Sequence, residues 1–144
     1  MAAQGTGKIR NGYSAEEVQV RFALLGGSNA VVAAEVAQTL WQKMRGLAGR
    51  TSMPAGRGML FLFPRPGRYV FWMWGMRLPL DIVWIRRGIV VHITLHAQPL
   101  QWVASRFRGK IFYVPPERVD AVLEIAAGEC ERIGIQRGCR AAWS

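Results

Sequence analysis

An apolar stretch near the middle of the chain constrains the fold more than any other feature. From Tyr69 to Trp74 every residue is apolar or aromatic, and a second apolar run follows at Ile82–Ile85. The period-2 alternation of a strand with one wet face is missing, which predicts two core strands covered on both faces. Gly75 and Pro79 mark the connection between them. Asp81 falls between this connection and the second run, and is predicted to be a buried or half-buried charge.

Short strands are predicted on both sides of this stretch. The alternating residues of Val18–Leu24 and the β-leaning run Ala30–Ala37 indicate a hairpin. Gly88 suits the positive-φ position of a tight hairpin loop after the second central strand. A turn is predicted at Pro64–Gly67. Further strands are predicted at Gly58–Phe63, Ile89–Leu95, Val122–Ile125 and, as a last edge strand, Arg140–Trp143.

Two helices are predicted. Thr39 and Gln42 match a capping box, in which each side chain satisfies a backbone N–H at the start of a helix. The apolar residues that follow share one helical face as far as about Gly49, which makes this the principal helix. A shorter helix is predicted at Gly128–Gly134. Residues 1–17 are mostly small, polar and glycine-rich, so we expect a flexible tail and a single domain over residues 18–144.

The chain is strongly basic, with 19 basic and 9 acidic residues and a net charge of +10. Such an excess is typical of proteins that bind nucleic acid or another polyanion, and it also arises from arginine-biased codon usage. No apolar run approaches the roughly 18 residues of a membrane span, and no apolar segment follows Lys8 and Arg10. We therefore expect a cytoplasmic protein with no membrane span.

Catalytic, metal and cofactor motifs are absent from the sequence. It holds no phosphate-binding loop, no dinucleotide fingerprint and no paired carboxylates. Cys130 and Cys139 are expected to be reduced, and with two distant histidines they fit no zinc spacing, so neither a metal nor a cofactor is predicted. Asp81 has two interpretations: an acid–base partner of Arg45 or Arg77, or an acceptor that fixes a turn through backbone and guanidinium hydrogen bonds. We favour the second.

Several sequence blocks resemble those of one bacterial and archaeal family, the domain of unknown function 192. The blocks are Arg45–Leu47, Gly58–Pro64, Phe71–Met73, Pro79–Asp81, Leu123–Glu124 with Gly128, Arg132–Ile135 and Gly138–Arg140. The resemblance covers about residues 29–143. It implies an α+β domain that is mostly antiparallel β and barrel-like, with one principal α-helix, and it implies no activity. This chain departs from the family at Trp74–Met76 and at Cys139, where relatives carry polar side chains.

The leading hypothesis is a small, non-enzymatic binding or accessory protein whose ligand or protein partner is unknown. Aromatic and sulfur-containing side chains of the central stretch would line a cleft ringed by Arg57, Arg68 and Arg77, suited to a flat or apolar ligand with an anionic group. Alternatively, these side chains simply fill a packed barrel. The candidate site residues are Arg45, Phe61, Trp72, Met73, Trp74, Met76, Arg77 and Asp81.

Two other functions stay open at this point. Weak, non-specific nucleic-acid binding is the first, since aromatic and basic residues interleave after the central strands. The residues concerned are Trp102, Arg106, Phe107, Arg108, Lys110 and Tyr113. The second is an enzyme that uses Asp81 with an arginine. The sequence does not fix the oligomeric state.

Overall fold

The computed structural model describes residues 16–38, 47–73, 75–99 and 112–144 of the chain. Within these ranges the chain forms short strands and one helix. They are β1 (Glu17–Ala23), β2 (Asn29–Ala37), β3 (Arg57–Gly67), β4 (Phe71–Trp72), β5 (Leu80–Arg86), β6 (Ile89–Ala97), β7 (Phe112–Tyr113), β8 (Val119–Ala126), α1 (Glu129–Ile133) and β9 (Arg140–Trp143).

Seven of these strands form a closed barrel in the order β1-β2-β3-β8-β5-β6-β9. Among these strands only the β2–β3 pair is parallel, so the expected barrel of mostly antiparallel strands is confirmed. The prediction that Arg140–Trp143 is an edge strand was wrong. The strand pairs with β1 along its length, and the Ala141 N–H donates to the Gly88 carbonyl across the β6 side at 2.8 Å. Its position at the end of the sequence therefore says nothing about its position in the sheet.

The hairpin between β5 and β6 follows the sequence prediction. Arg87 and Gly88 both have positive φ, 48° and 71°, as a two-residue loop of the primed type requires. The backbone N–H of Arg87 donates to both carboxylate oxygens of Asp120, at 3.2 and 3.1 Å. This bond helps to hold a non-glycine residue in a conformation that it rarely adopts.

The barrel strands separate two apolar clusters. Leu123 and Ile125 of β8 pack in the barrel interior, whereas Val122 faces the outer side of the sheet. Because successive strand residues point to opposite faces, β5 contributes to both clusters and is buried almost throughout. The prediction that Ile82–Ile85 is covered on both faces is confirmed. The outer cluster forms because chain segments before and after β4 in the sequence cover the outer face of β3, β5 and β8.

Two predictions for the neighbourhood of β4 were wrong. Pro64–Gly67 is the end of β3 and not a turn. The β3–β8 register is interrupted between Leu62 and Gly67, which leaves the prolines without a ladder bond to make. The described part of this stretch, Tyr69–Met73, does not form a core strand covered on both faces, because β4 has only two residues and Trp72 is 42% exposed.

The helix predictions have different outcomes. The principal helix predicted from Thr39 to Gly49 lies mostly in residues 39–46, outside the described residues. The short C-terminal helix is confirmed as α1, with Gly128 before it and Gly134 after it. Both glycines have left-handed φ values, 90° and 87°, which a residue with a Cβ rarely adopts.

Gly58 of β3 packs tightly against β8, and we expect its replacement by alanine to destabilise the fold. An added Cβ would lie 2.7 Å from the Glu124 carbonyl oxygen and 2.8 Å from the Ile125 Cγ2. The two strands would have to separate, at a cost of about 2 kcal/mol in the free energy of unfolding. Gly26→Ala is the matched control, because a Cβ added there would have no atom within 4 Å. Equal chemical denaturation midpoints for the two variants would contradict the expected strain.

Candidate functional site

Asp81 is fully buried and accepts hydrogen bonds from three backbone N–H groups of the described residues. Its Oδ1 accepts from His96 at 3.0 Å, and its Oδ2 accepts from Gly128 at 3.0 Å and from Cys130 at 3.1 Å. His96 has a φ of 52° and lies where the β5–β6 register shifts. One carboxylate therefore joins an irregularity in β6 to the start of α1.

The partners of Asp81 agree with the turn-fixing interpretation in part. Backbone donors are present, but no guanidinium bonds to Asp81 among the described residues. Arg77 is exposed, and Arg45 lies outside the described residues. On β5, Asp81 pairs with Ile125 and has the same parity as Val83, which belongs to the interior cluster. Asp81 thus belongs to the interior side of the barrel.

A sulfur-rich layer covers the other side of the sheet. We call it the methionine layer and define it by its four buried methionines, Met53, Met59, Met73 and Met76. Met59 belongs to β3, whereas the other three come from the chain segments that cover the outer face. A hydrogen bond from the Gly49 N–H to the Gly75 carbonyl, 3.0 Å long, joins these covering segments. Methionine side chains are flexible and polarizable, so such a layer adapts to different shapes.

Aromatic rings form one wall of the methionine layer. The Phe71 ring packs edge-on against Phe61 and Trp84, with centroid distances of 5.0 and 5.3 Å. The Trp84 indole N–H donates to the Thr94 hydroxyl at 2.9 Å, which satisfies its polar atom. These ring contacts fix β4 against the barrel.

Glu124 is an acidic residue buried on the side of the sheet that the methionine layer covers. On β8 it lies directly between Met59 of β3 and Ile82 of β5, both members of the outer cluster. Its residue surface is only 5% exposed. Burial raises the pKa of its carboxyl to about 8, and no ion pair or hydrogen bond from the described residues offsets that cost. The carboxyl is therefore mostly protonated at neutral pH.

The structure brings some of the sequence-predicted site residues together and separates others. Phe61, Met73 and Met76 lie in the outer cluster, on the side of the sheet that Glu124 faces. Trp72 and Arg77 are exposed, and Asp81 belongs to the opposite side of the sheet. Arg45 and Trp74 lie outside the described residues. Sequence reasoning did not select Glu124 as a site residue, although an acid inside the otherwise apolar run Ala121–Ala126 was the available signal.

The arginines of the described ranges lie in separate places. Arg50 pairs with Glu35 and Arg57 with Glu17, each at 2.6 Å. Arg132 pairs with Glu129, and this bond is the main reason that the pKa of the Glu129 carboxyl is lowered. Glu129 also accepts a hydrogen bond from the Gly56 N–H at 2.9 Å. A further group lines an open groove of about 640 Å³ beside β1, β9 and the β5–β6 hairpin; its members are Arg21, Arg87 and Arg140.

The cysteines are buried free thiols. Burial raises the pKa of the Cys130 thiol well above its ordinary value, and the nearby Asp81 carboxylate adds to the shift. A thiol held in this state is a poor nucleophile. Among the described residues, no group of three or more His, Cys, Asp or Glu side chains is arranged to hold a metal ion.

A closed seven-strand barrel with a buried acid beneath its outer cover defines a small β-barrel protein. The chain belongs to the family of the domain of unknown function 192, described as "Uncharacterized ACR", whose model matches residues 23–143. The family resemblance expected from the sequence blocks is thus confirmed.

Two solved structures have the same fold. One, described as a candidate transcription regulator from Sinorhizobium meliloti, is 29% identical with a TM-score of 0.81, and the match covers 91% of this chain and 96% of that one. The other, a protein of unknown function from Novosphingobium aromaticivorans, is 27% identical with a TM-score of 0.81, over 96% of this chain and 94% of that one. No curated protein matches the sequence. No helix among the described residues is long and apolar enough to cross a membrane.

Proposed function

We propose that the protein is a non-catalytic binding module whose ligand enters the methionine layer and meets Glu124. The observation that carries this proposal is the carboxyl itself. The residue is almost completely buried, and no described residue forms an ion pair or hydrogen bond with its carboxyl. An uncompensated buried acid lowers stability and is replaceable by an apolar residue, so its presence supports a role in binding.

The chemistry of the layer favours a ligand with an apolar body and a cationic group. Methionine sulfur and the rings of Phe61 and Trp84 interact favourably with cations, and the Glu124 carboxylate would supply the opposite charge. The sequence had predicted an anionic group held by arginines. Arg57 is paired with Glu17 and Arg77 is exposed, so they supply no buried positive charge to this layer.

An acid–base role for Asp81 is less well supported. Both of its oxygens accept backbone hydrogen bonds that hold β6 and α1 in place. A catalytic proton transfer at this carboxylate would have to weaken those bonds in every cycle. Asp81 and Glu124 also belong to opposite faces of the sheet, which keeps them from working as a pair.

Hexyltrimethylammonium is a suitable probe for this site, because its charge does not change with pH. Isothermal titration calorimetry should show binding that is at least about tenfold tighter at pH 9 than at pH 6.5, since the cation pairs with the ionised form of Glu124. Hexyl sulfate should bind more weakly at both pH values. Glu124→Gln should bind the cation weakly and without pH dependence.

Glu131→Gln is the matched control, because Glu131 is exposed on α1. This variant should keep the affinity and the pH dependence of the parent. Stronger binding of hexyl sulfate than of the cation, or a pH dependence that survives in Glu124→Gln, would contradict the proposed site.

A further inference from the structure

The two-stranded sheet of β4 and β7 has one apolar face that nothing covers among the described residues. Trp72 pairs directly with Phe112. Val70, two residues before Trp72, and Val114, two residues after Phe112, point to the same face because side chains two residues apart share a face of a strand. Their side chains are 47% (Val70), 42% (Trp72), 56% (Phe112) and 40% (Val114) exposed. We call these four residues the ribbon face.

The opposite side of the same ribbon is firmly held. Phe71 packs against Phe61 and Trp84, and the Tyr69 ring stacks on Phe63 with centroids 3.7 Å apart. The Arg68 guanidinium donates to the Pro115 carbonyl at 3.0 Å, which links the chain just before β4 to the chain just after β7. The ribbon face is therefore presented on a fixed support.

The ribbon face concentrates exposed apolar side chains. Among the described residues, seven large hydrophobic side chains are exposed, and four of them form this face. The other three, Leu25, Val31 and Leu95, lie on other strands or loops of the barrel. A contiguous exposed patch of this kind marks an interaction surface, whereas scattered exposed residues need no explanation.

The charges beside the ribbon are mostly positive. Arg65, Arg68, Arg77 and Arg118 are exposed near its ends in the sequence, and Glu117 is the exposed acid among these neighbours. The whole chain carries a net charge of +10. Two copies of so basic a protein repel each other, whereas an anionic surface attracts it.

We propose that the ribbon face docks the protein onto an anionic lipid bilayer. Tryptophan and phenylalanine rings suit the headgroup region, the two valines reach into the acyl boundary, and the flanking arginines contact lipid phosphates. Half of the face is aliphatic and offers no stacking partner for a base, which favours lipid over single-stranded nucleic acid. This inference is independent of the ligand that enters the methionine layer.

Vesicle flotation tests the inference. The protein should float with vesicles of phosphatidylcholine and 30% phosphatidylglycerol, and hardly at all with pure phosphatidylcholine. Raising the salt from 0.1 to 0.5 M should weaken the association, because the arginine contribution is screened. The double variant Trp72→Ser, Phe112→Ser should lose at least about tenfold in vesicle affinity, with an unchanged far-ultraviolet circular dichroism spectrum.

Leu25→Ser, Leu95→Ser is the matched control, since it removes two exposed apolar side chains outside the ribbon face. It should bind anionic vesicles as the parent does. Equal losses in the two double variants, or no association of the parent with anionic vesicles, would overturn the proposal. So would a ribbon variant that binds vesicles normally but loses either oligonucleotide binding or self-association.

Discussion

Replacing Asp81 by alanine is expected to lower the free energy of unfolding by about 3–5 kcal/mol, the largest loss that we predict for a single side chain. The change would remove the acceptor of three backbone N–H groups, those of His96, Gly128 and Cys130. The bond from Cys130 is buried and the other two are partly buried, so water replaces the lost acceptor poorly and each unpaired group costs free energy. Urea denaturation of the variant and the parent measures the difference.

Two further variants make this prediction specific. Asp81→Asn keeps one acceptor oxygen and should lose less than the alanine variant. Asp120→Ala is the matched control, because Asp120 also accepts a backbone N–H, that of Arg87, but at a more exposed position. It should cost less than about 1 kcal/mol. An Asp81→Ala protein as stable as Asp120→Ala would show that the bonds to Asp81 do not hold the fold.

The second large effect concerns Glu124 and pH. Its carboxyl keeps a proton in the folded protein up to a pKa of about 8, whereas the ordinary value is 4.5. Between these values the unfolded chain releases a proton that the folded chain retains, so the contribution of Glu124 to stability falls as the pH rises. The total loss is on the order of 5 kcal/mol and levels off above the folded pKa.

The free energy of unfolding, measured in urea from pH 5 to pH 9 for the parent and for Glu124→Gln, isolates this effect. Glu129, whose pKa is lowered by its bond to Arg132, titrates in both proteins and cancels in the difference. The parent should lose stability relative to the glutamine variant as the pH rises, and most steeply below pH 8. Parallel curves would mean that the Glu124 carboxyl is not buried in solution as it is in the structure.

The sequence was most informative where a local pattern decides the structure. The positive φ of Gly88, the glycines around α1 and the burial of Ile82–Ile85 follow from turn chemistry and from apolar runs. Asp81 stood out as a lone acid beside a core strand, and it is fully buried. Short-range rules thus identified most of the strands, the short helix and one buried charge.

Long-range pairing could not be predicted in the same way. Nothing local in Arg140–Trp143 indicates that it pairs with β1 and closes the barrel. Tyr69–Trp74 is apolar throughout, yet only the chain that lies over β3, β5 and β8 decides which of its side chains are covered. Glu124 was not selected for the same reason, because its burial depends on Met59 and Ile82 beside it and on the segments above it.

The central claim, that Glu124 is a protonated anchor beneath the methionine layer, is tested most directly by carbon-13 NMR of the glutamate side-chain carboxyls. Glu124→Gln identifies the signal by its disappearance. We predict that this carboxyl titrates at about 8, far from the ordinary 4.5, and that saturating hexyltrimethylammonium lowers its pKa by stabilising the carboxylate. A Glu124 carboxyl that titrates near 4.5, with or without the cation, would contradict the claim.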